Sequence, residues 1–114
     1  MRKLAFIDEP EFKKIMIYEA RHEEVYLFYY DTWMDAPSIK DFVYSTYSEV
    51  EELCWIENSI KPSDWIDIAD PMEGCQQDFI APVRVKGRSI GKPEFGKFEK
   101  LKYNGEWYDI SVPD

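Results

Sequence analysis

Val25-Tyr26-Leu27-Phe28-Tyr29-Tyr30 decides the fold. Successive strand residues point to opposite faces, so a run that is apolar at every position must be covered on both sides. The stretch reads as a central strand, with tyrosine rings buried and hydroxyls sent to the sheet margin. Upstream, Lys13 to Tyr18 (Lys-Lys-Ile-Met-Ile-Tyr) fits a strand or a short amphipathic helix with Phe12, Ile15, Met16 and Ala20. Its β-branched and aromatic content favours a strand, and the polar break Arg21-His22-Glu23-Glu24 then makes a hairpin into Val25–Tyr30.

Downstream, Asp31 to Ser38 has loop chemistry and Phe42 to Tyr47 reads as a strand. Ser48-Glu49-Val50-Glu51 offers a capping box, with Ser48 as the helix cap. Val50, Leu53 and Cys54 follow at helical spacing as one buried stripe, and the helix should fail at Asn58-Ser59, before Pro62. Trp65 to Ile68 reads as a short strand and Asp70 to Gly74 as a turn. Phe79 to Lys86 reads as a strand that Pro82 confines to an edge. Gly87, Gly91, Pro93 and Gly96 mark a loop.

The C-terminus offers a hairpin, Lys97–Tyr103 and Glu106–Ser111, around Asn104-Gly105, the favoured type I′ pair. A two-residue turn pairs Lys102 with Trp107, Leu101 with Tyr108 and Lys100 with Asp109. It buries Leu101, Tyr103, Tyr108 and Ile110, and leaves a Lys102–Trp107 cation–π pair and a Lys100–Asp109 ion pair outside. The expectation is a single α+β domain over residues 1–114. It has a mainly antiparallel sheet of about five to six strands and one principal helix packed on one side.

The chain has 114 residues, 14 Lys+Arg against 23 Asp+Glu, and 45% apolar side chains. A domain of this length buries roughly 65% of its unfolded surface unaided, so neither disulfide nor structural metal is required. Met1 to Pro10 holds two basic residues and four apolar ones before acids arrive, too short for the apolar run of a signal peptide. Val25–Tyr30 is far below the ~20 residues that span a bilayer. A soluble, cytoplasmic protein with Cys54 and Cys75 as free thiols is expected.

The net charge of −9 is uneven. Residues 1–83 hold 7 basic and 18 acidic side chains, a balance of −11. Residues 84–102 hold Arg84, Lys86, Arg88, Lys92, Lys97, Lys100 and Lys102 against Glu94 and Glu99, a balance of +5. Residues 103–114 add −3. An acidic field repels nucleic acid and attracts basic partners.

No catalytic set emerges. His22, the single histidine, sits in a polar turn, and one His with two distant Cys cannot supply a zinc site. Cys54 falls on the buried stripe, which leaves Cys75, in the loop Gly74-Cys75-Gln76-Gln77-Asp78, as the candidate reactive thiol, without an activating base beside it. Gly91-Lys92-Pro93-Glu94-Phe95-Gly96-Lys97 has the spacing of a phosphate loop. Phe98 replaces the magnesium-holding hydroxyl, and a strand follows in place of a helix. Neither cofactor nor metal is expected. Asp64, Asp67, Asp70, Glu73 and Asp78 are interleaved with Trp65 and Phe79, but lack a calcium-loop pattern.

The stretch Asp64-Trp65-Ile66-Asp67-Ile68-Ala69-Asp70-Pro71-Met72-Glu73-Gly74-Cys75-Gln76-Gln77-Asp78-Phe79-Ile80-Ala81-Pro82-Val83-Arg84-Val85, with Gly96-Lys97-Phe98-Glu99, resembles a small bacterial family without an assigned function. In size, acidity and aromatic content the chain is also similar to immunity proteins of bacterial toxin systems. That likeness implies binding and blocking a toxin, often a basic nuclease. The expected function is a non-catalytic protein-binding module for a basic protein. Trp33 and Trp65 would serve as apolar anchors, with Asp64, Asp67, Asp70, Glu73 and Asp78 as steering acids. The alternatives are a small ligand-binding protein or hydrolase with an enclosed carboxylate pocket, and nucleic-acid binding through Arg84, Lys86 and Arg88.

Overall fold

Val25–Tyr30 forms an interior strand, buried on both faces as its composition requires. The computed structural model describes residues 1–20 and 24–111; His22 and its turn lie outside the described residues. The chain divides into two compact units, Met1–Asp70 and Pro71–Asp114. The fold is α+β, with eight strands in two antiparallel sheets and one α-helix among the described residues.

The first unit runs β1 (Arg2–Phe6), β2 (Lys14–Glu19), β3 (Val25–Tyr30), β4 (Lys40–Tyr44), α1 (Tyr47–Asn58), a 3-10 turn (Pro62–Asp64) and β5 (Ile66–Ile68). Its sheet has the order β4-β3-β2-β1-β5. The ambiguous stretch at Lys13–Tyr18 is thus a strand, because its β-branched residues find partners on both sides. One face carries Ala5, Ile15, Ile17, Val25, Leu27 and Tyr29, which pack with Val50 and Cys54 of α1 and with Ile60. The opposite face buries Leu4, Met16, Phe28 and Tyr30, together with Arg2 and Lys14. Both cations bond backbone carbonyls: Arg2 Nε donates to Ala69 O at 2.6 Å, and Lys14 Nζ to Met34 O at 2.7 Å. Lys14 Nζ also lies 4.7 Å from the Tyr30 ring centroid.

Helix α1 begins two residues earlier than its capping box suggests. Thr46 is the cap, and its hydroxyl accepts from the Glu49 N–H at 3.2 Å. Thr46-Tyr47-Ser48-Glu49 is itself a Thr-x-x-Glu sequence, and the earlier frame keeps Val50 and Cys54 in the core. The helix stops at Ser59, which adopts φ 58° and donates its N–H to Trp55 O. Thr46→Ala should cost about 1 kcal/mol in urea denaturation and Ser48→Ala less than about 0.5. Equal losses would place the cap wrongly.

The second unit contains β6 (Val83–Val85), β7 (Phe98–Leu101) and β8 (Trp107–Ile110), in the order β6-β7-β8. The strand expected over Phe79–Lys86 shrinks to three residues at the sheet edge, after Pro82, whose missing N–H ends the ladder. The hairpin register is one residue off the expected one. Leu101 pairs with Trp107, Lys100 with Tyr108, Glu99 with Asp109 and Phe98 with Ile110. The loop has three residues, Tyr103-Asn104-Gly105: Gly105 N–H donates to Lys102 O at 3.0 Å, and Lys102 N–H to Glu106 O at 2.6 Å. Gly105 has φ 89° and Asn104 does not have positive φ, which excludes type I′ and gives a type I turn with a glycine bulge. Asn104 Oδ1 instead accepts from the Glu106 N–H at 3.1 Å.

A one-residue slip exchanges the faces. Tyr103 is fully exposed instead of buried. The Lys102–Trp107 and Lys100–Asp109 pairs give way to others. Arg84 stacks 3.6 Å from the Trp107 centroid and its Nε meets Glu99 Oε1 at 2.7 Å, while Lys86 meets Asp109 at 2.7 Å.

Candidate functional site

Of the residues nominated from sequence, Trp33, Asp64, Trp65, Asp67 and Asp70 belong to the first unit. In the first unit, Trp33 is half-exposed, with its ring 6.1 Å from Phe6 and 5.9 Å from Lys13 Nζ. Trp65 packs against the core, with its Nε1 buried and unpartnered, so it is no exposed anchor. Asp64 accepts from the Lys61 N–H at 2.8 Å and closes the 3-10 turn. Asp67 lies 3.8 Å from Lys3 Nζ, and Asp70 2.8 Å from the N-terminal ammonium. Glu73 and Asp78 belong to the second unit. Glu73 is exposed and Asp78 is half-buried.

What the first unit does assemble is the outer face of α1. The helix carries Glu49, Glu51, Glu52 and Glu57 and no Lys or Arg. Its core stripe of Val50 and Cys54 turns Trp55 and Ile56 outward, where they are half or more exposed. On one flank, Ser48, Glu51, Glu52 and Trp55 border an open groove against Ile60 and Pro62, with a volume of about 360 Å³. The Tyr47 hydroxyl is buried beside Glu51. Burial first, and then Glu51, drives its pKa upward. Asp67, nominated from sequence, is not among the residues that line this groove, and Asp64 closes the turn that Pro62 begins.

The other flank faces β4. There Phe12, Tyr29, Phe42 and Tyr44 line a cleft of about 370 Å³ with Lys40 and Glu57 among its polar residues. Lys40, Phe42 and Tyr44 alternate along β4, so all three point to the helix side. Sequence reasoning missed both flanks. It reads the helix only for its cap and its buried stripe, and the cleft draws on four separate segments.

Three of the seven bases in the basic strip are ion-paired within the second unit: Arg84 to Glu99, Lys86 to Asp109 and Lys97 to Glu94. Both cysteines are free thiols. Burial, then Glu57 and Glu51, pushes the Cys54 thiol up to about 12. Cys75, half-buried, is raised by burial against the opposing pull of Arg84 and Arg88. Neither is an activated nucleophile. Among the described residues, no group of three or more His, Cys, Asp or Glu is placed to hold a metal ion, and no helix is long and apolar enough to cross a membrane.

Compared with protein families, curated proteins and solved structures, the chain matches none.

Proposed function

We propose that this chain is a non-catalytic, cytoplasmic protein-binding module for a basic protein, acting as an immunity-type inhibitor of a basic toxin or nuclease does. The observation that carries the reading is the base-free helix α1, whose glutamates border a groove floored by Trp55, Ile60 and Pro62. The charge supports it. Met1–Asp70 holds 7 Lys+Arg against 16 Asp+Glu, and Pro71–Asp114 holds 7 against 7, so the first unit carries the entire −9. Of its bases, Arg2 and Lys14 are buried, while Lys3, Lys13 and Lys40 are ion-paired. Trp55 takes the anchoring role that Trp65 cannot, and Glu51, Glu52 and Asp67 steer the approach.

The test is affinity capture from the producing organism, with wild type and a Glu51→Lys/Glu52→Lys/Asp67→Lys variant checked for folding by circular dichroism. Wild type should retain a basic protein. The variant should associate about tenfold more slowly at low salt, with the gap closing as salt rises. An acidic partner, or unchanged association, would refute the reading.

A further inference from the structure

We propose that the cleft between β4 and the C-terminal half of α1 binds an organic cation, an alkylammonium or guanidinium head group. The argument is independent of the acidic groove on the other flank of the helix.

Four rings, Phe12, Tyr29, Phe42 and Tyr44, line this cleft. Phe12 and Tyr29 are 4.8 Å apart and tilted by 50°, and Tyr29 and Phe42 are 5.9 Å apart at 87°. Rings at such angles turn faces toward more than one side of a shared space. The negative ring faces attract cations and repel anions. Glu57 adds a carboxylate to the lining, and Glu9, held by Asn58 Nδ2 at 3.3 Å, also faces the Tyr29 hydroxyl. Burial, reinforced by Glu57, raises the Tyr29 and Tyr44 hydroxyls above their ordinary range, so both rings stay neutral.

The protein already demonstrates the chemistry with its own side chain. Lys40 Nζ lies 5.4 Å from the Phe12 ring centroid and 3.5 Å from Glu11 Oε1. Its side chain lines the cleft and is 53% exposed, so it has room to swing aside. Lys40 is therefore a built-in competitor for the ring faces. A volume of about 370 Å³ suits a head group with a few methylenes. The head group can come from a free small molecule or from an arginine or lysine side chain of a protein.

NMR titration of the isotopically labelled full chain tests this with tetramethylammonium, N-acetyl-arginine amide and, as an uncharged control of similar size, tert-butanol. The cations should give saturable shifts at the four rings, with dissociation constants in the ~1–10 mM range. Tighter binding of the arginine amide identifies a protein side chain as the source, and tighter binding of tetramethylammonium a free quaternary ammonium; either supports the site. Phe42→Ala, at a half-exposed edge position, should weaken binding about fivefold and Glu57→Gln about threefold, whereas Lys40→Met should strengthen it several-fold. The opposite sign at Lys40 is what a purely structural role does not produce. Equal shifts with tert-butanol, no saturation by any cation, or weaker binding by Lys40→Met would overturn the proposal.

Discussion

Leu27→Ala should lower the unfolding free energy by about 3–4 kcal/mol, read as a shift of the urea midpoint at constant slope. Leu27 has no exposed surface and pairs with Ile17 on one side and Phe42 on the other. Its side chain belongs to the core shared with Val50 and Cys54 of the helix. Truncation removes roughly three methylene-sized groups from water-free surroundings and leaves a cavity, because both neighbouring strands are held by their ladders and cannot close in. Val43→Ala, in the same sheet but 58% exposed on β4, should cost less than about 0.5 kcal/mol. A Leu27 loss as small as that of Val43 is incompatible with the interior position of β3.

Gly87→Ala should destabilise the second unit by about 2–4 kcal/mol, and Gly91→Ala by only about 1–2. Both glycines have positive φ, 78° and 73°, so both changes bear the cost of forcing an L residue into the left-handed region. Their surroundings differ. A Cβ on Gly91 enters open space, whereas a Cβ on Gly87 runs into the backbone carbonyl of Lys92. That carbonyl cannot swing away cheaply: the Lys92 N–H is bonded to Gly87 O at 3.0 Å, and the Glu94 N–H to Lys86 O at 2.8 Å. Trp107 is the single tryptophan of Pro71–Asp114, so its fluorescence, resolved in variants lacking the other indoles, follows this unit. Equal costs at the two glycines would show that the loop yields at Lys92.

The elements legible in the sequence are those whose side chains encode burial unambiguously. Val25–Tyr30 is apolar at every position, and Val50, Leu53 and Cys54 repeat at helical spacing; both became core. Strand β1 escaped because Met1 to Pro10 was weighed only against a signal peptide and its two leading bases mask the strand pattern, although Arg2 is buried with its guanidinium on the Ala69 carbonyl. The C-terminal hairpin was visible and its register was not. Asn104-Gly105 satisfies a two-residue type I′ turn and a three-residue bulged turn equally well by composition, and only the φ of Asn104 separates them. That ambiguity moved every cross-strand pair of the hairpin. The acids around Trp65 were visible as a composition bias, but their partners, Lys3, the Lys61 backbone N–H and the N-terminal ammonium, are set by the folded sheet edge and the turn before it. The cleft has no local signature at all, since its walls come from Phe12, Tyr29, β4 and α1.

The absence of bases from helix α1 also has a chemical corollary. Between Lys40 and Lys61 lie twenty residues without a primary amine or guanidinium. Acylating reagents and amine-directed cross-linkers therefore find no foothold along β4 beyond its first residue or anywhere on the helix. Carbodiimide coupling meets four carboxylates on the helix alone. A complex formed through this face would be captured by zero-length coupling of its glutamates to the lysines of the partner, and passed over by lysine-to-lysine reagents.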